Sequence, residues 1–309
     1  MNKKILTAII AIITLVPSTA YANLKNTTTQ TPAIAILDTA IDTSLPIFKD
    51  KIAQEVCILE WNSCPNGKNF MEGKGAAVLP SNIISRNGFD HGTQMASIAI
   101  TRNPNMKIVF IRIIGNTFSG DRQVSYEMTV INALDWVVKN ASKYNIQAVS
   151  MSQGHSNYAL AADYCPNTPF TKQKITDLAG MGIPTVLPAG NNRNYTKINW
   201  PACINESVSV GGVDRIGEIA LYSNYDPARL DFYDVGNTTA FLPGNKITNV
   251  AGTSAAVQNF AASWVAIRTA KPSLTYQQVY DLIAKTSTPT KNARIPLGKL
   301  INQIGAING

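Results

Sequence analysis

The sequence predicts an α/β fold: a doubly wound, three-layer sandwich with a mostly parallel central sheet. Three observations predict it. Short runs are wholly apolar, longer stretches repeat apolar residues at helical spacing, and the two kinds alternate along the chain. No repeat, low-complexity tract or linker divides residues 23–309, so we expect one domain there. In such a sheet, sites lie beyond the carboxyl ends of the strands.

The strands are predicted where short runs are apolar almost throughout, as in a sheet covered on both faces. In chain order these runs are 33–37, 107–114, 146–151, 183–187 and 208–213. The helices are predicted where apolar residues recur every three or four positions. They cover 126–144, 174–181, 254–269 and 274–285, and a further apolar helix should follow His91.

Composition favours a globular protein with a sizeable core. The chain has 309 residues, of which 45% are hydrophobic and 15% charged, which argues against disorder. Lys and Arg number 27 against 19 Asp and Glu, for a net charge of +8. These basic residues are dispersed and form no run typical of a nucleic-acid patch, so we expect no nucleic-acid partner.

Residues 1–22 resemble a secretory signal peptide. Lys3 and Lys4 precede an apolar run over 5–16, and Ala20 and Ala22 are the small residues that a signal peptidase reads. The run is shorter than the about 20 residues that cross a bilayer, although an uncleaved anchor is the alternative. We therefore expect cleavage after Ala22, a mature chain of residues 23–309 without a membrane anchor, and a secreted or periplasmic location.

The four cysteines agree with export, because disulfides form in oxidising compartments. They are Cys57, Cys64, Cys165 and Cys203, and they allow three pairings. Proximity favours Cys57–Cys64, which leaves Cys165–Cys203. A zinc site is disfavoured, since there is no Cys-x-x-Cys pair and no histidine nearby.

Three side chains stand out as candidates for acid–base and nucleophilic chemistry. The chain has two histidines, and one of them, His91, lies at the predicted start of a helix, followed by Gly92. Ser254 lies at another loop-to-helix junction, and Asp38 ends the first strand. Each has an ordinary explanation: helix capping for the first two, and a calcium ligand for the aspartate. A buried carboxylate nevertheless needs a partner, and a histidine N–H is one.

The order Asp38, His91, Ser254 is the order of the triad in subtilisin. The segments 36–39 (ILDT), 91–93 (HGT) and 252–254 (GTS) are similar to the three signatures of the subtilisin-like serine proteases, the subtilases. Two further segments, 149–154 (VSMSQG) and 187–191 (LPAGN), resemble the family's cleft strand and its oxyanion segment. The chain is therefore identified as resembling a divergent subtilase.

The resemblance implies a role for each matching residue. Ser254 would be the nucleophile, His91 the general base, and Asp38 the group that orients the imidazole. The side chain of Asn191 and the backbone N–H of Ser254 would stabilise the oxyanion. Without the other motifs, the segment around Asn191 would be interpreted as a turn.

The substrate would bind as an added β-strand. The resemblance assigns this to the backbone of Ser152, Gln153 and Gly154. His155 follows directly; a loop histidine is the ordinary interpretation, and an influence on substrate preference is the alternative. The function predicted is an exported serine endopeptidase acting on proteins or peptides. The alternative is a catalytically inactive, subtilase-like peptide-binding protein.

Several residues depart from the family pattern. Ala40 replaces a usual glycine, Gln94 replaces a frequent histidine, and Ala255 and Gln258 replace a methionine and a proline. None of them removes an atom of the triad. They make the packing of the helix behind Ser254 and the shape of the cleft less predictable.

Accessory groups are less clearly indicated by the sequence. The proposed chemistry requires no cofactor, and the sequence predicts no metal ligand. Structural calcium is common in the family, and Asp42 or Asp50 could contribute, but no ligand spacing places an ion. Residues 23–37 are too few to form the pro-domain that many secreted subtilases carry. We therefore expect folding without one, or with a separate folding or inhibitory partner.

Overall fold

The computed structural model describes residues 30–61, 63–86, 88–117, 122–123, 127–154, 165–290 and 299–308. The predicted signal peptide, residues 1–22, and His155 lie outside these ranges, so the expectations for them stay predictions. Among the described helices, none combines the length and the apolar character needed to cross a bilayer.

The strands are β1 Ala33–Asp38, β2 Ile52–Ile58, β3 Phe70–Glu72, β4 Lys107–Arg112, β5 Gly115–Asn116, β6 Arg122–Gln123, β7 Ile146–Met151, β8 Thr185–Pro188, β9 Val208–Val213, β10 Phe232–Val235, β11 Asn237–Leu242, β12 Lys246–Ala251, β13 Thr288–Pro289 and β14 Lys299–Leu300. The helices are α1 Ser81–Ile84, α2 His91–Arg102, α3 Glu127–Tyr144, α4 Pro169–Gly180, α5 Thr253–Ala270, α6 Tyr276–Thr286 and α7 Gln303–Asn308. Single 3-10 turns occupy Pro46–Phe48 and Cys165–Asn167.

One sheet of ten strands organises the described part of the chain. Its order is β13-β14-β10-β9-β8-β7-β1-β4-β2-β3. The outer pairs β2/β3 and β13/β14 are antiparallel, and the pairs between them are parallel. The predicted mostly parallel sheet is therefore confirmed. Strand β1 lies near its middle, between β7 and β4.

The side chains of β1 show why both faces of the sheet must be covered. Ala33, Ala35 and Leu37 belong to one hydrophobic core, whereas Ile34 and Ile36 belong to another on the opposite face. Successive residues of a strand point to opposite faces, so a wholly apolar strand needs an apolar partner on each side. Helices α3 and α4 pack against the first core, and α2, α5 and α6 against the second.

The predicted boundaries hold closely, with two instructive differences. Helix α4 begins at Pro169, five residues before the predicted start. Its first turn lacks apolar periodicity and was therefore missed, but proline is preorganised for the first helical turn. Helix α6 begins two residues later than predicted. There Thr275 and Gln278 form a capping box, each side chain bonded to the other residue's backbone N–H.

Both favoured disulfides are present in the structure. Cys57 pairs with Cys64 at a Cα–Cα distance of 5.8 Å, and Cys165 pairs with Cys203 at 5.9 Å. The first anchors the loop after β2. The second ties the segment before α4 to the loop that precedes β9.

A buried carboxyl group on β10 predicts a pH-dependent stability. Asp234 is 1% exposed, its Oδ1 accepts a hydrogen bond from the Val235 N–H at 2.7 Å, and its Oδ2 has no hydrogen-bond partner among the described residues. Burial raises the pKa of Asp234 from 3.8 to about 7, although Arg102 and the Val235 N–H act to lower it. The folded protein therefore holds a proton there that the unfolded chain has already lost.

The contribution of Asp234 to stability should accordingly be complete below about pH 4 and lost as the pH rises through about 7. As the pH rises between these limits, the free energy of unfolding of Asp234→Asn should increase by up to about 4 kcal/mol relative to that of the unsubstituted chain, because one pKa unit corresponds to about 1.4 kcal/mol. Urea unfolding from pH 4 to pH 8 measures the difference. Replacement of the exposed Glu218 with glutamine is the control, and a difference independent of pH would contradict the assignment.

Candidate active site

The candidate residues meet at the carboxyl edge of the sheet. Asp38 is the last residue of β1, Ser152 follows β7, and Asn191 lies in the loop after β8; these three strands are neighbours. His91 is the first residue of α2, and Ser254 is in the first turn of α5. Because parallel strands share one carboxyl edge, positions far apart in sequence are brought together there.

Asp38 and His91 form a direct pair. The Nδ1 atom of His91 lies 2.8 Å from Oδ1 of Asp38, which also accepts the N–H of Thr39 at 2.7 Å. The Asp38 side chain is fully buried, whereas that of His91 remains 26% exposed. A carboxylate at Nδ1 favours the tautomer that carries its proton there, which leaves Nε2 free to accept one.

A close contact between β1 and α2 sets the geometry of this pair. Thr39 Oγ1 donates to the carbonyl of Phe89 at 2.8 Å and accepts the N–H of Gly92 at 2.9 Å. A Cβ at Gly92 would lie 2.4 Å from the carbonyl oxygen of Ala40, so no side chain fits there. The two backbones therefore approach closely at Gly92, and this contact brings the start of α2 against the end of β1.

The charges around His91 favour its protonated form. Burial lowers the pKa of His91, but Asp38, through its charge and its hydrogen bond, raises it, and Asp90 adds to the increase. Arg122 acts in the opposite direction. The net result is a pKa of His91 above its ordinary 6.5. An imidazole with this environment can take up a proton and hold it near neutral pH.

Ser254 presents free polar groups at the start of α5. The helix begins at Thr253, and its N-cap Gly252 supplies no side-chain cap. Among the described residues, neither the backbone N–H nor the hydroxyl of Ser254 has a hydrogen-bond partner, and no hydrogen bond joins Ser254 to His91. Contacts of this kind are often long before a substrate binds.

Asn191 is oriented by the residue before Ser254. Its Oδ1 accepts the N–H of Thr253 at 2.8 Å and the Thr253 hydroxyl at 2.9 Å. The amide nitrogen Nδ2 then lies beside Gly252, 3.3 Å from the position that a Cβ would take there. With its oxygen engaged in this way, Asn191 has its donor end available next to the start of α5.

A residue without an assigned role holds the Asn191 loop. Oδ1 of Asn224 accepts the N–H groups of Asn192 at 2.9 Å and of Asn194 at 3.0 Å. Gly190 has a φ of 110°, and a Cβ there would lie 2.3 Å from Nδ2 of Asn224. No signal in the sequence indicated that the side chain of Asn224 supports the loop that contains Asn191.

The predicted substrate strand has open backbone groups. Within the described ranges, the backbone N–H and C=O groups of Ser152, Gln153 and Gly154 form no hydrogen bonds. A Cβ at Gly154 would lie 2.5 Å from the carbonyl oxygen of Trp200, so a side chain would disturb this edge. Backbone groups without partners are the ones with which an added strand can pair.

Gln258, where the family usually has proline, links α5 to β7. Its side chain is fully buried, its Oε1 accepts the Ser150 hydroxyl at 2.9 Å, and its Nε2 donates to Oγ of Ser152 at 2.9 Å. The Ser152 hydroxyl in turn donates to the carbonyl of Ser254 at 3.1 Å. Gln258 thus departs from the family pattern, but its side chain joins a satisfied buried hydrogen-bond network between the two elements.

Replacing Gln258 with leucine should destabilise the protein by about 2–3 kcal/mol, because the Ser150 and Ser152 hydroxyls would lose buried partners. Urea unfolding measures the effect. The matched control adds Ser150→Ala and Ser152→Ala to the leucine variant. It should regain part of the loss, since an apolar site costs less than unpaired hydroxyls. A triple variant less stable than Gln258→Leu would contradict this account.

The structure does not place a calcium ion. In the part of the chain that the structure describes, no three His, Cys, Asp or Glu side chains group as metal ligands. The carboxylate of Asp42 accepts hydrogen bonds from Ser44 and from the N–H of Gly244. Asp42 therefore links the segment after β1 to the β11–β12 hairpin, and no calcium ligand is assigned to it.

A doubly wound sheet with an aspartate–histidine pair at its carboxyl edge is an architecture that serine peptidases use. The chain belongs to the subtilase family, whose family model matches residues 29–299. It is 24% identical over 249 residues to the major intracellular serine protease of Bacillus subtilis, covering 76% of this chain and 67% of that protein. It is also 24% identical over 227 residues to subtilisin DY of Bacillus licheniformis, covering 69% of this chain and 76% of the relative.

Solved structures agree on the fold. A protease from Pseudoalteromonas arctica superposes with a TM-score of 0.73 at 19% identity, covering 90% of each chain. The prenylagaramide maturation protease PagA superposes with a TM-score of 0.66 at 17% identity, covering 90% of this chain and 92% of that one. At these identities the likeness establishes the shared architecture and leaves substrates open.

Proposed function

We propose that the protein is an exported serine endopeptidase that hydrolyses peptide bonds with Asp38, His91 and Ser254. One observation carries the proposal: the fully buried carboxylate of Asp38 lies 2.8 Å from Nδ1 of a partly exposed His91. Burying a carboxylate is expensive unless a partner compensates it. A pair of this kind at the edge where family members bind substrates is best explained by acid–base catalysis.

In the proposed mechanism, Ser254 attacks the substrate carbonyl while Nε2 of His91 takes the hydroxyl proton. The C–N bond then breaks as the imidazolium returns that proton to the leaving amine, and an acyl-enzyme remains. A water molecule, deprotonated by the same nitrogen, hydrolyses the ester and regenerates the hydroxyl. Asp38 holds the ring and stabilises its charged form.

Two donors would stabilise the tetrahedral oxyanion. The Ser254 N–H is an uncapped donor at the start of α5, and the Asn191 amide is held by Thr253 with its oxygen engaged. Both supply positive charge without reorganisation at the moment of reaction, and one such donor contributes about 3 kcal/mol in comparable enzymes. The substrate would extend along residues 152–154 as an additional strand.

Export, a separate folding or inhibitory partner, and structural calcium remain part of the proposal. The signal-like residues 1–22 and two disulfides support an oxidising compartment. The alternative of an inactive peptide-binding protein is favoured by one observation, that Ser254 and His91 are not hydrogen-bonded to each other.

A fluorophosphonate probe separates the two functions. The folded chain of residues 23–309 should gain one covalent adduct, mapped to Ser254 by peptide mass spectrometry, because only an activated serine reacts rapidly. Ser254→Ala and heat-unfolded protein are the controls and should remain unlabelled. Folded protein that binds peptides but takes up no probe would support the binding protein and contradict the endopeptidase.

The pH dependence of hydrolysis provides a further prediction. Because the pKa of His91 is raised by Asp38 and Asp90, the base should be protonated and inactive at mildly acidic pH. The acidic limb of kcat/KM should therefore have its midpoint above 6.5, the ordinary histidine value. Peptide hydrolysis measured from pH 4 to pH 9 gives this midpoint. Activity that stays constant down to pH 4 would exclude a histidine base.

A further inference from the structure

A third donor reaches the oxygen that pairs with His91. Nε2 of Gln153 donates to Oδ1 of Asp38 at 3.1 Å, and the same nitrogen lies 3.4 Å from Nδ1 of His91. The amide of Gln153 is therefore packed beside the imidazole and shares its acceptor. A donor in this place fixes the carboxylate and draws part of its negative charge away from the ring.

The other end of the same amide is held by a cation. Nη2 of Arg122 donates to Oε1 of Gln153 at 3.1 Å. Because the guanidinium can only donate, it determines that the oxygen faces Arg122 and the NH2 group faces Asp38. A hydrogen bond from a cation also polarises the amide and strengthens its donor end.

The chain makes room for this guanidinium next to the His91 turn. Gly88 has a φ of 80°, and a Cβ there would lie 3.0 Å from Nη1 of Arg122. The carbonyl of Gly88 accepts the N–H of His91 at 3.4 Å. Arg122 therefore lies close to the turn that presents the imidazole.

We propose that Gln153 is a positioning residue for the Asp38–His91 pair, that Arg122 holds it in place, and that together they oppose protonation of His91. The proposal rests on the proposed function, in which His91 is the base. The charged groups that face the ring are Asp38, Asp90 and Arg122, and two of the three favour the imidazolium. A base in this setting needs an interaction that disfavours the imidazolium if it is to be unprotonated at neutral pH.

The first test is the pH profile of peptide hydrolysis. Arg122→Gln and Gln153→Met should each move the acidic limb upward by about 0.5 pH unit, less than the shift from a charge in direct contact. Gln153→Glu should move it further, because it places a carboxylate beside Asp38. For Gln153→Met, kcat should fall by about tenfold with KM little changed, less than the about 10²-fold loss from an ångström of misplacement.

The matched control is Lys139→Gln. Lys139 is 71% exposed and pairs with Asp135 on α3, so the substitution removes the same charge as Arg122→Gln at a distant site. Its acidic limb should coincide with that of the unsubstituted enzyme. Arg122→Lys keeps the charge and should restore most of the profile. Unchanged limbs in both Arg122→Gln and Gln153→Met would overturn the proposal.

The second test needs no activity. The chain has two histidines, so His155→Gln leaves His91 as the only imidazole, and Ser254→Ala prevents self-cleavage. NMR titration in this background should give a higher pKa for His91 when Arg122→Gln or Gln153→Met is added. Equal pKa values would refute the positioning role even if the enzyme hydrolyses peptides. A higher pKa of His91 in these variants, combined with an unsubstituted chain that never reacts with the fluorophosphonate probe, would support the positioning role and refute the proposed peptidase instead.

Discussion

Replacing Ser254 with alanine is expected to lower kcat for a peptide substrate by on the order of 10⁶, the loss that subtilisin-type triads show without their nucleophile. The substitution removes the oxygen atom proposed to attack the substrate carbonyl and form the acyl-enzyme. Substrate affinity should persist, because the backbone of residues 152–154 and the Asn191 amide are untouched. Hydrolysis of a chromogenic peptide and equilibrium binding of an uncleaved peptide measure the two quantities separately.

A second substitution tests whether the residues act as a unit. Adding His91→Ala to Ser254→Ala should cost almost nothing further, since a base without a nucleophile has no proton to remove. His91→Ala alone should cost nearly as much as Ser254→Ala. Circular dichroism confirms that each variant is folded. Losses that multiply in the double variant would show that Ser254 and His91 act independently and would contradict the mechanism.

Replacing Asp38 with asparagine is expected to lower kcat by on the order of 10⁴. Oδ1 of Asp38 accepts hydrogen bonds from Thr39, His91 and Gln153, all from nitrogen. A carboxamide keeps the size of the group but removes the charge that stabilises the imidazolium, and its NH2 group favours the wrong tautomer. Steady-state kinetics at pH 8 measure the loss.

Asp90→Asn is the matched control for that variant. Asp90 is next to His91 in sequence and raises its pKa, but it forms no hydrogen bond to the ring. Its replacement should change kcat by less than about tenfold, through charge alone. Equal losses in Asp38→Asn and Asp90→Asn would mean that the hydrogen bond to Asp38 has no special role.

The parts of the fold that the sequence predicts are those with strong local signals. The run that forms β1 is apolar on both faces, and it predicted a covered parallel strand. Strand β2 and the hairpin of β11 and β12 were not predicted, because they lie towards or outside the edge of the sheet. In the sequence of these strands, polar and apolar residues mix without a clear period. In the structure, β12 has only exposed and half-buried positions, so it has no buried face that an apolar pattern would mark.

The site divides in the same way. The pairing of Asp38 and His91 could be predicted from their motifs, because the end of a strand and the start of a helix have recognisable sequence signals. The supporting contacts of Gln258, Asn224 and Arg122 could not. Each depends on a side chain that crosses between elements distant in sequence, and a polar residue in a helix or loop has no pattern that reveals its partner.

Because the candidate residues meet at one edge of the sheet, the opposite edge is suited to chemical attachment. Asn105 is exposed and precedes β4, whose six residues place it about 20 Å from the carboxyl edge. All four native cysteines are in disulfides. A cysteine introduced at Asn105 would therefore be a unique thiol, through which the protein could be immobilised on a resin with its cleft directed away from the support.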